Sequence, residues 1–219
     1  MFWSLACMDY RVHEQADVRP EREADVSEGD EIAMDTGDTG EAGEALDTGE
    51  PSSGSPRLPD PGSVVVNELM IDPNAVEDSL GEWVELLNTS EDHLDLNGAW
   101  IGDDDLDYVQ LTALRDLVVA PGDAIVVCVS ATDNGGVDCD ATVPYDTFGD
   151  GFAMSNTRDE VVIYNPDGEM LDRVSWDEGF APTGRSAALD PGHASTTDND
   201  DAAAWCDQAA SPGSDNSPC

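Results

Sequence analysis

The chain has 219 residues, 49 of them acidic and 8 basic, which gives a formal net charge of -41 at pH 7. Recognition of a polyphosphate needs cationic side chains that displace its counterions, so this charge argues against nucleic acid and anionic lipid surfaces as partners. No run approaches the roughly 20 apolar residues that span a bilayer, so any membrane attachment would be covalent or indirect. The charge is also typical of a protein kept soluble in high salt or outside the cell.

The first seven residues end in a cysteine. The apolar run Met1 to Ala6 precedes Cys7, which resembles the end of a bacterial lipoprotein signal whose cysteine becomes the acylated N-terminus. Ser4 occupies the position where that pattern usually has leucine, and no charged residue precedes the cysteine. We expect residues 1–7 to be a shortened lipoprotein-type signal with lipid attachment at Cys7. The alternative is a stray thiol in a frayed terminus.

Residues 8–62 have the composition of a linker. They are rich in acidic residues, Gly, Thr and Pro, and they repeat Asp-Thr-Gly at 35–37, 38–40 and 47–49. Burial of their few apolar side chains cannot offset the cost of ordering the backbone, about 1–2 kcal/mol per residue. We therefore expect a disordered acidic tether. Asp-Thr-Gly also surrounds the catalytic aspartate of aspartic proteases, but there the flanks are apolar, whereas all flanks here are polar.

From Ser63 onward, short apolar runs alternate with Asn, Asp, Gly and Pro, a pattern typical of strands and turns. The only candidate helix, 111–119, is short and ends in β-branched residues. Residues 63–219 are therefore predicted to form one all-β sandwich or barrel. The predicted strands are 64–71, 82–88, 94–101, 108–111, 124–130, 160–165 and 170–176. The predicted core residues are Trp83, Leu86, Leu96, Trp100, Val126 and Val162.

Six sequence blocks resemble, in order, the signatures of the lamin-tail domain family. They are VVNELM (65–70), GEWVELLN (81–88), LDLNGAW (94–100), PGD (121–123), RDEVVIYNPDG (158–168) and Trp205 through SPGSDN (211–216). The residues that carry the motif are Asn67, Glu68, Glu82, Trp83, Glu85, Asn88, Trp100 and Trp205. The resemblance implies an immunoglobulin-like β-sandwich and a non-catalytic module, which in bacteria commonly occurs in exported proteins. Nuclear members build filaments or bind chromatin, but this chain lacks a coiled-coil rod and a basic patch.

The glutamates of the motif allow two interpretations. Carboxylates held close together split their pKa values, so Glu68, Glu82 and Glu85 could form an acid-base pair. In a strand, however, Glu82 and Glu85 point to opposite faces, and a glutamate in such a position more plausibly accepts hydrogen bonds from neighbouring backbone. We favour the structural role.

The four remaining cysteines form an even set. The spacing favours pairing Cys128 with Cys139 and Cys206 with Cys219, although three pairings are formally open. Each short loop closed by a disulfide would add about 3 kcal/mol to stability in the chain-entropy model. Zinc is the competing use of four cysteines, but no close Cys-x-x-Cys pair occurs, and an exported protein favours oxidation.

Clusters of aspartates offer the hard oxygen ligands that calcium takes. The clearest is Asp103, Asp104, Asp105 and Asp107; groups of Asp and Asn also occur at 133–134 and 198–201. None has the spacing of a calcium loop, so solvated acidic loops are the favoured interpretation, and weak calcium binding is the alternative.

No pattern typical of a catalytic site occurs: His13, His93 and His193 are far apart in sequence, and the common nucleophile, phosphate-loop and zinc motifs are missing. We therefore expect a secreted or surface-tethered, non-catalytic binding or structural module without a cofactor. Its predicted partner is an unknown protein or a cell-envelope glycan, and it would contact membrane only through the N-terminal lipid. The alternatives are a calcium-dependent adhesion domain and an accessory domain of an exported hydrolase system.

Overall fold

The computed structural model describes residues 55–102, 108–147 and 151–219. The predictions for Cys7, for residues 1–54 and for the aspartates at 103–107 fall outside these ranges. The described residues form short strands, a four-residue helix and two 3-10 turns. These are β1 (Val64–Met70), α1 (Asp78–Gly81), β2 (Trp83–Asn88), β3 (Leu94–Asp95), β4 (Trp100–Gly102), β5 (Tyr108–Gln110), β6 (Thr112–Ala113), β7 (Val118–Val119), β8 (Ala124–Cys128), β9 (Ala141–Thr142), β10 (Asp159–Tyr164), β11 (Met170–Trp176), β12 (Ser186–Leu189), the turns Pro191–His193 and Ala202–Ala204, and β13 (Trp205–Gln208).

The strands form a sandwich of two main sheets. The larger sheet has the order β13-β12-β1-β2-β8-β9-β6, and the smaller has the order β11-β10-β4-β5. β3 and β7 pair separately beside them. Apart from the parallel pair β8 and β9, the pairings between these strands are antiparallel. The predicted all-β class and the immunoglobulin-like sandwich are confirmed.

One hydrophobic core lies between the two sheets. The larger sheet contributes Leu69, Val84 and Leu86, and the smaller contributes Ile101 and Ile163, all of them buried. Alternate residues of a strand face opposite sides of its sheet, so the neighbours of these residues face outward. A second, smaller cluster of buried residues comprises Met70, Trp83, Val126, Cys128 and Cys139, on that outward side of the larger sheet.

A β-bulge in β1 decides which residues reach the core. The register of β1 against β2 shifts between Val66 and Glu68, so that Asn67 is the extra residue. Val66 pairs with the core residue Leu86, and strict alternation would also bring Glu68 to the core. The bulge reverses the alternation, so Glu68 faces outward and Leu69 faces the core.

The candidate helix 111–119 is absent, as its short length and β-branched end predicted: Thr112–Ala113 and Val118–Val119 pair with other strands. Two sequence predictions need correction. The predicted strand 94–101 is divided by a turn in which Gly98 has a φ of +82°. Trp100 is only half-buried, because the core position beside it is taken by Ile101.

The folded part also begins before the predicted boundary at residue 63. The backbone N–H of Arg57 donates to His93 at 3.0 Å, and its carbonyl accepts from the N–H of Asp95 at 2.8 Å. The N–H of Gly62 donates to the carbonyl of Leu171 at 3.1 Å. The last residues of the predicted tether are therefore bonded to the sandwich. None of the described helices is long or apolar enough to cross a membrane.

Candidate functional site

Two of the motif glutamates face each other on the outer side of the larger sheet. Glu68 in β1 is the register partner of Glu85 in β2, and both side chains are completely buried. They are covered by the chain terminus, residues 209–219, which we call the C-terminal strap. The Glu68 carboxyl accepts from the Ser211 N–H and hydroxyl, each at 3.0 Å, and from the Ser186 hydroxyl. Glu85 accepts from the Gly213 N–H at 2.6 Å and from the Asn67 amide at 2.7 Å.

The sequence of the strap explains its shape. Ser211-Pro212-Gly213-Ser214 forms a turn in which the Ser214 N–H donates to the Ser211 carbonyl at 2.9 Å and Gly213 has a φ of +75°. A type II turn requires a positive φ at its third residue, which glycine supplies, and it commonly has proline as its second residue. Beyond the turn, the Asn216 amide donates to the carbonyls of Asn67 and Leu189 at 2.9 and 3.0 Å. The SPGSDN block thus supplies a backbone donor to each of Glu68 and Glu85 and also binds the bulge.

Burial raises the pKa of both glutamates. For Glu68 the hydrogen bonds from Ser186 and Ser211 oppose this rise, and for Glu85 those from Asn67 and Gly213 do so. The neighbouring charge of Glu68 adds to the rise at Glu85. A close carboxyl pair is one of the two interpretations that the sequence left open. Every oxygen of this pair nevertheless accepts a hydrogen bond from the fold, as the structural interpretation predicts.

Glu82 belongs to a different site. It precedes β2, and its Oε2 accepts from the backbone N–H of Met154 at 2.8 Å, while its Oε1 is buried with no hydrogen-bond partner. Burial raises its pKa to about 9, and the charges of Asp78, Asp159 and Asp72 add to the rise. At neutral pH this carboxyl is therefore protonated. Glu82 lies just before β2 and outside it, and its carboxyl bonds a different segment from that of Glu85.

Sequence reasoning missed a fourth buried carboxyl, Asp172 in β11. Its Oδ2 accepts from the Val66 N–H and from the Asn199 amide, both at 2.7 Å. The Trp205 indole N–H in turn donates to the Asn199 carbonyl at 2.8 Å, which gives this motif tryptophan a polar contact as well as an apolar one. The available signal was an acidic residue inside a predicted strand, directly after Leu171. Burial raises the pKa of Asp172.

The structure has disulfides between Cys128 and Cys139, whose Cα atoms are 5.9 Å apart, and between Cys206 and Cys219, at 5.8 Å. The first lies beside Trp83 in the smaller apolar cluster. The second joins β13 to the end of the C-terminal strap. The N–H of Cys219 also donates to the carboxylate of Asp190 at 2.8 Å. Backbone hydrogen bonds, the larger effect from Gly192 and the smaller from Cys219, lower the pKa of Asp190. The side-chain amide of the motif residue Asn88 donates to the carbonyls of Asp92 and Val119, and so joins the loop after β2 to strand β7.

Removal of the second disulfide by the double substitution Cys206→Ser and Cys219→Ser is expected to lower the free energy of unfolding by about 3 kcal/mol, the chain-entropy value for a loop of this size. The two cysteines are 13 residues apart, so loss of the disulfide restores the conformational freedom of this loop in the unfolded chain. Denaturant unfolding of the variant and the parent chain measures the difference. Hydrogen exchange should rise first in residues 209–219, and unchanged exchange there would show that the strap holds without the disulfide.

An open groove of about 1210 Å³ runs beside β11 and β13. Trp176, Phe180 and Trp205 form its apolar side, with ring centroids 6.1 and 5.3 Å apart along the series. Ion pairs of Arg158 with Asp177 and of Arg173 with Glu160 line the polar side.

Within 55–102, 108–147 and 151–219, no three His, Cys, Asp or Glu side chains are grouped so that they could hold a metal ion.

A comparison with known proteins gives a family for this chain. A search of the curated proteins found no match. A family model described as Lamin Tail Domain matches residues 58–178, from just after Arg57 through β11. The matched range contains the bulge, the three motif glutamates and Asp172, whereas the C-terminal strap that covers Glu68 and Glu85 lies beyond it. Because the match spans more than half of the chain, this protein belongs to the lamin tail domain family.

Proposed function

We propose that this protein is a non-catalytic binding or structural module, displayed outside the cytoplasm on an acidic tether that is lipid-anchored at Cys7. The observation that supports a non-catalytic role is how the buried carboxyls are used. Glu68, Glu82, Glu85 and Asp172 each accept a backbone N–H from a distant segment, at 2.6 to 3.0 Å. Such carboxyls stabilise packing between segments, and a catalytic carboxyl would instead have to reach a substrate.

The partner of the module is a protein or a cell-envelope glycan, and no cofactor takes part. The sandwich would act through its exposed surfaces, because its interior is filled by the hydrophobic core. Calcium-dependent adhesion and assistance to a hydrolase have no comparable support among the described residues.

Two measurements on the full chain test this proposal. The chain should hydrolyse chromogenic esters, phosphates and glycosides no faster than a variant with Glu82→Gln and Glu85→Gln. A turnover that this variant loses would make the module an enzyme and overturn the proposal. Mass spectrometry of protein extracted from membranes of the source should find Cys7 acylated. An unmodified Cys7 would remove the anchor and leave the module secreted.

A further inference from the structure

The outer face of the smaller sheet carries three aromatic side chains. In the register, Trp100 of β4 pairs with Tyr164 of β10, and Tyr108 of β5 pairs with Gly102 of β4. Their neighbours Ile101 and Ile163 belong to the core, so the three aromatic residues project from the opposite side of the sheet. We call this surface, Trp100, Tyr108 and Tyr164, the aromatic face.

The rings form a corner instead of a flat layer. The centroids of Tyr108 and Tyr164 are 5.0 Å apart with an angle of 82° between the ring planes, and their hydroxyl groups are 3.3 Å apart. These residues lie on strands separated by β4, where Trp100 is the register partner of Tyr164 and Gly102 is the register partner of Tyr108. Tyr108 is 39% exposed, and Met170, the register partner of Tyr164, is 49% exposed. Trp100 and Tyr164 are half-buried.

The charges around the aromatic face favour a cationic partner. The cation nearest to it in the register is Arg173, opposite Val162, and this arginine forms an ion pair with Glu160. The turn that follows Tyr164 adds the exposed carboxylates Asp167 and Glu169. The whole chain has a net charge of -41. The negative electrostatic potential of these charges attracts a cation, whereas an anionic or purely apolar partner gains nothing from it.

Aromatic rings bind cations through the negative potential above their faces, and tryptophan and tyrosine are the strongest. Tyr108 is the most exposed of the three rings, so its face is the first that a cationic group would reach. We propose that the aromatic face docks a cationic segment of a partner protein, with an arginine or lysine side chain against Trp100, Tyr108 and Tyr164. This deepens the proposed function, on which it rests, by assigning the partner to the protein class.

The experiment measures binding of a nine-residue arginine peptide to the full chain at 0.15 M NaCl, with three substitutions of one exposed residue. Tyr108→Phe keeps the ring and removes the hydroxyl, and it should bind as the parent chain does. Tyr108→Leu keeps apolar area without the ring, and Tyr108→Ala removes both. We expect the last two to bind about 2- to 5-fold more weakly, the range that an exposed cation–aromatic contact gives. Met170→Ala is the matched control on the same face and should leave binding unchanged.

The acidic tether attracts the same peptide in every variant, so the ratio between variants isolates the contribution of the rings. Equal affinity of Tyr108→Leu, Tyr108→Ala and the parent chain would overturn the proposal and show attraction to the acidic chain alone. A neutral N-acetylglucosamine hexamer that binds more tightly than the peptide, and that Tyr108→Ala no longer binds, would overturn it in favour of a glycan. Neither result would bear on catalysis or on the lipid at Cys7, so the proposed function is tested separately, through turnover and through acylation of Cys7. The melting temperature of each variant verifies that it is folded.

Discussion

Glu85→Ala is expected to lower the free energy of unfolding by about 3–5 kcal/mol and to release the C-terminal strap. The substitution removes the acceptor of two donors, the Gly213 N–H and the Asn67 amide. A buried donor left without a partner costs about 1–3 kcal/mol, and the cavity left by the side chain adds to that loss. Denaturant unfolding gives the free energy, and hydrogen exchange of Gly213 shows whether the strap has separated.

Two control variants separate the hydrogen bonds from the charge. Glu85→Gln keeps one acceptor oxygen, so its loss of stability should be less than half of that caused by Glu85→Ala. Glu91→Ala removes an exposed carboxylate of the same type and should change the stability by less than about 0.5 kcal/mol. If Glu85→Ala were as stable as Glu91→Ala, Glu85 would have no role in holding the strap.

The strap shows which part of this site the sequence predicts. The SPGSDN block could be recognised as part of the family pattern, and proline followed by glycine predicts its turn. A glutamate in the first motif block could likewise be expected to bond backbone. The sequence does not reveal that these two segments meet, because they are more than 140 residues apart and their contact depends on the order of the strands. Spacing did favour the disulfide pairing that the structure has between Cys206 and Cys219.

The tryptophans show why burial is harder to predict than strands. Trp83 and Trp100 both lie in predicted strands, and both were assigned to the core. Trp83 is buried, but on the outer side of its sheet with the disulfide of Cys128, and Trp100 belongs to the aromatic face. In each strand the residue next to the tryptophan, Val84 or Ile101, reaches the interior. Alternation predicts that two neighbours face opposite sides, but which side is covered depends on the other elements of the fold.

We expect Glu82 to make the largest single contribution to the change of stability with pH. Its pKa is about 9 in the folded protein and close to the ordinary value of 4.5 when the chain unfolds. Between these values the unfolded chain has lost the proton that the folded chain keeps, so the unfolded state binds fewer protons and stability falls as pH rises. The slope reaches about 1.4 kcal/mol per pH unit for one such group. From pH 5 to pH 8 the expected loss is therefore about 3–4 kcal/mol, and it ceases above the folded pKa.

Glu82→Gln replaces the neutral acid by a neutral side chain of the same size, with an oxygen that can still accept from Met154. The variant should match the parent chain near pH 5 and exceed its free energy of unfolding by a margin that grows toward pH 8. The high charge of the chain also makes stability depend on pH, but that contribution is common to both proteins and cancels in their difference. Glu91→Gln, at an exposed position, should show no such growing margin. Denaturant unfolding at pH 5, 6, 7 and 8 measures the margin, and a constant value would mean that Glu82 is ionised in the folded protein.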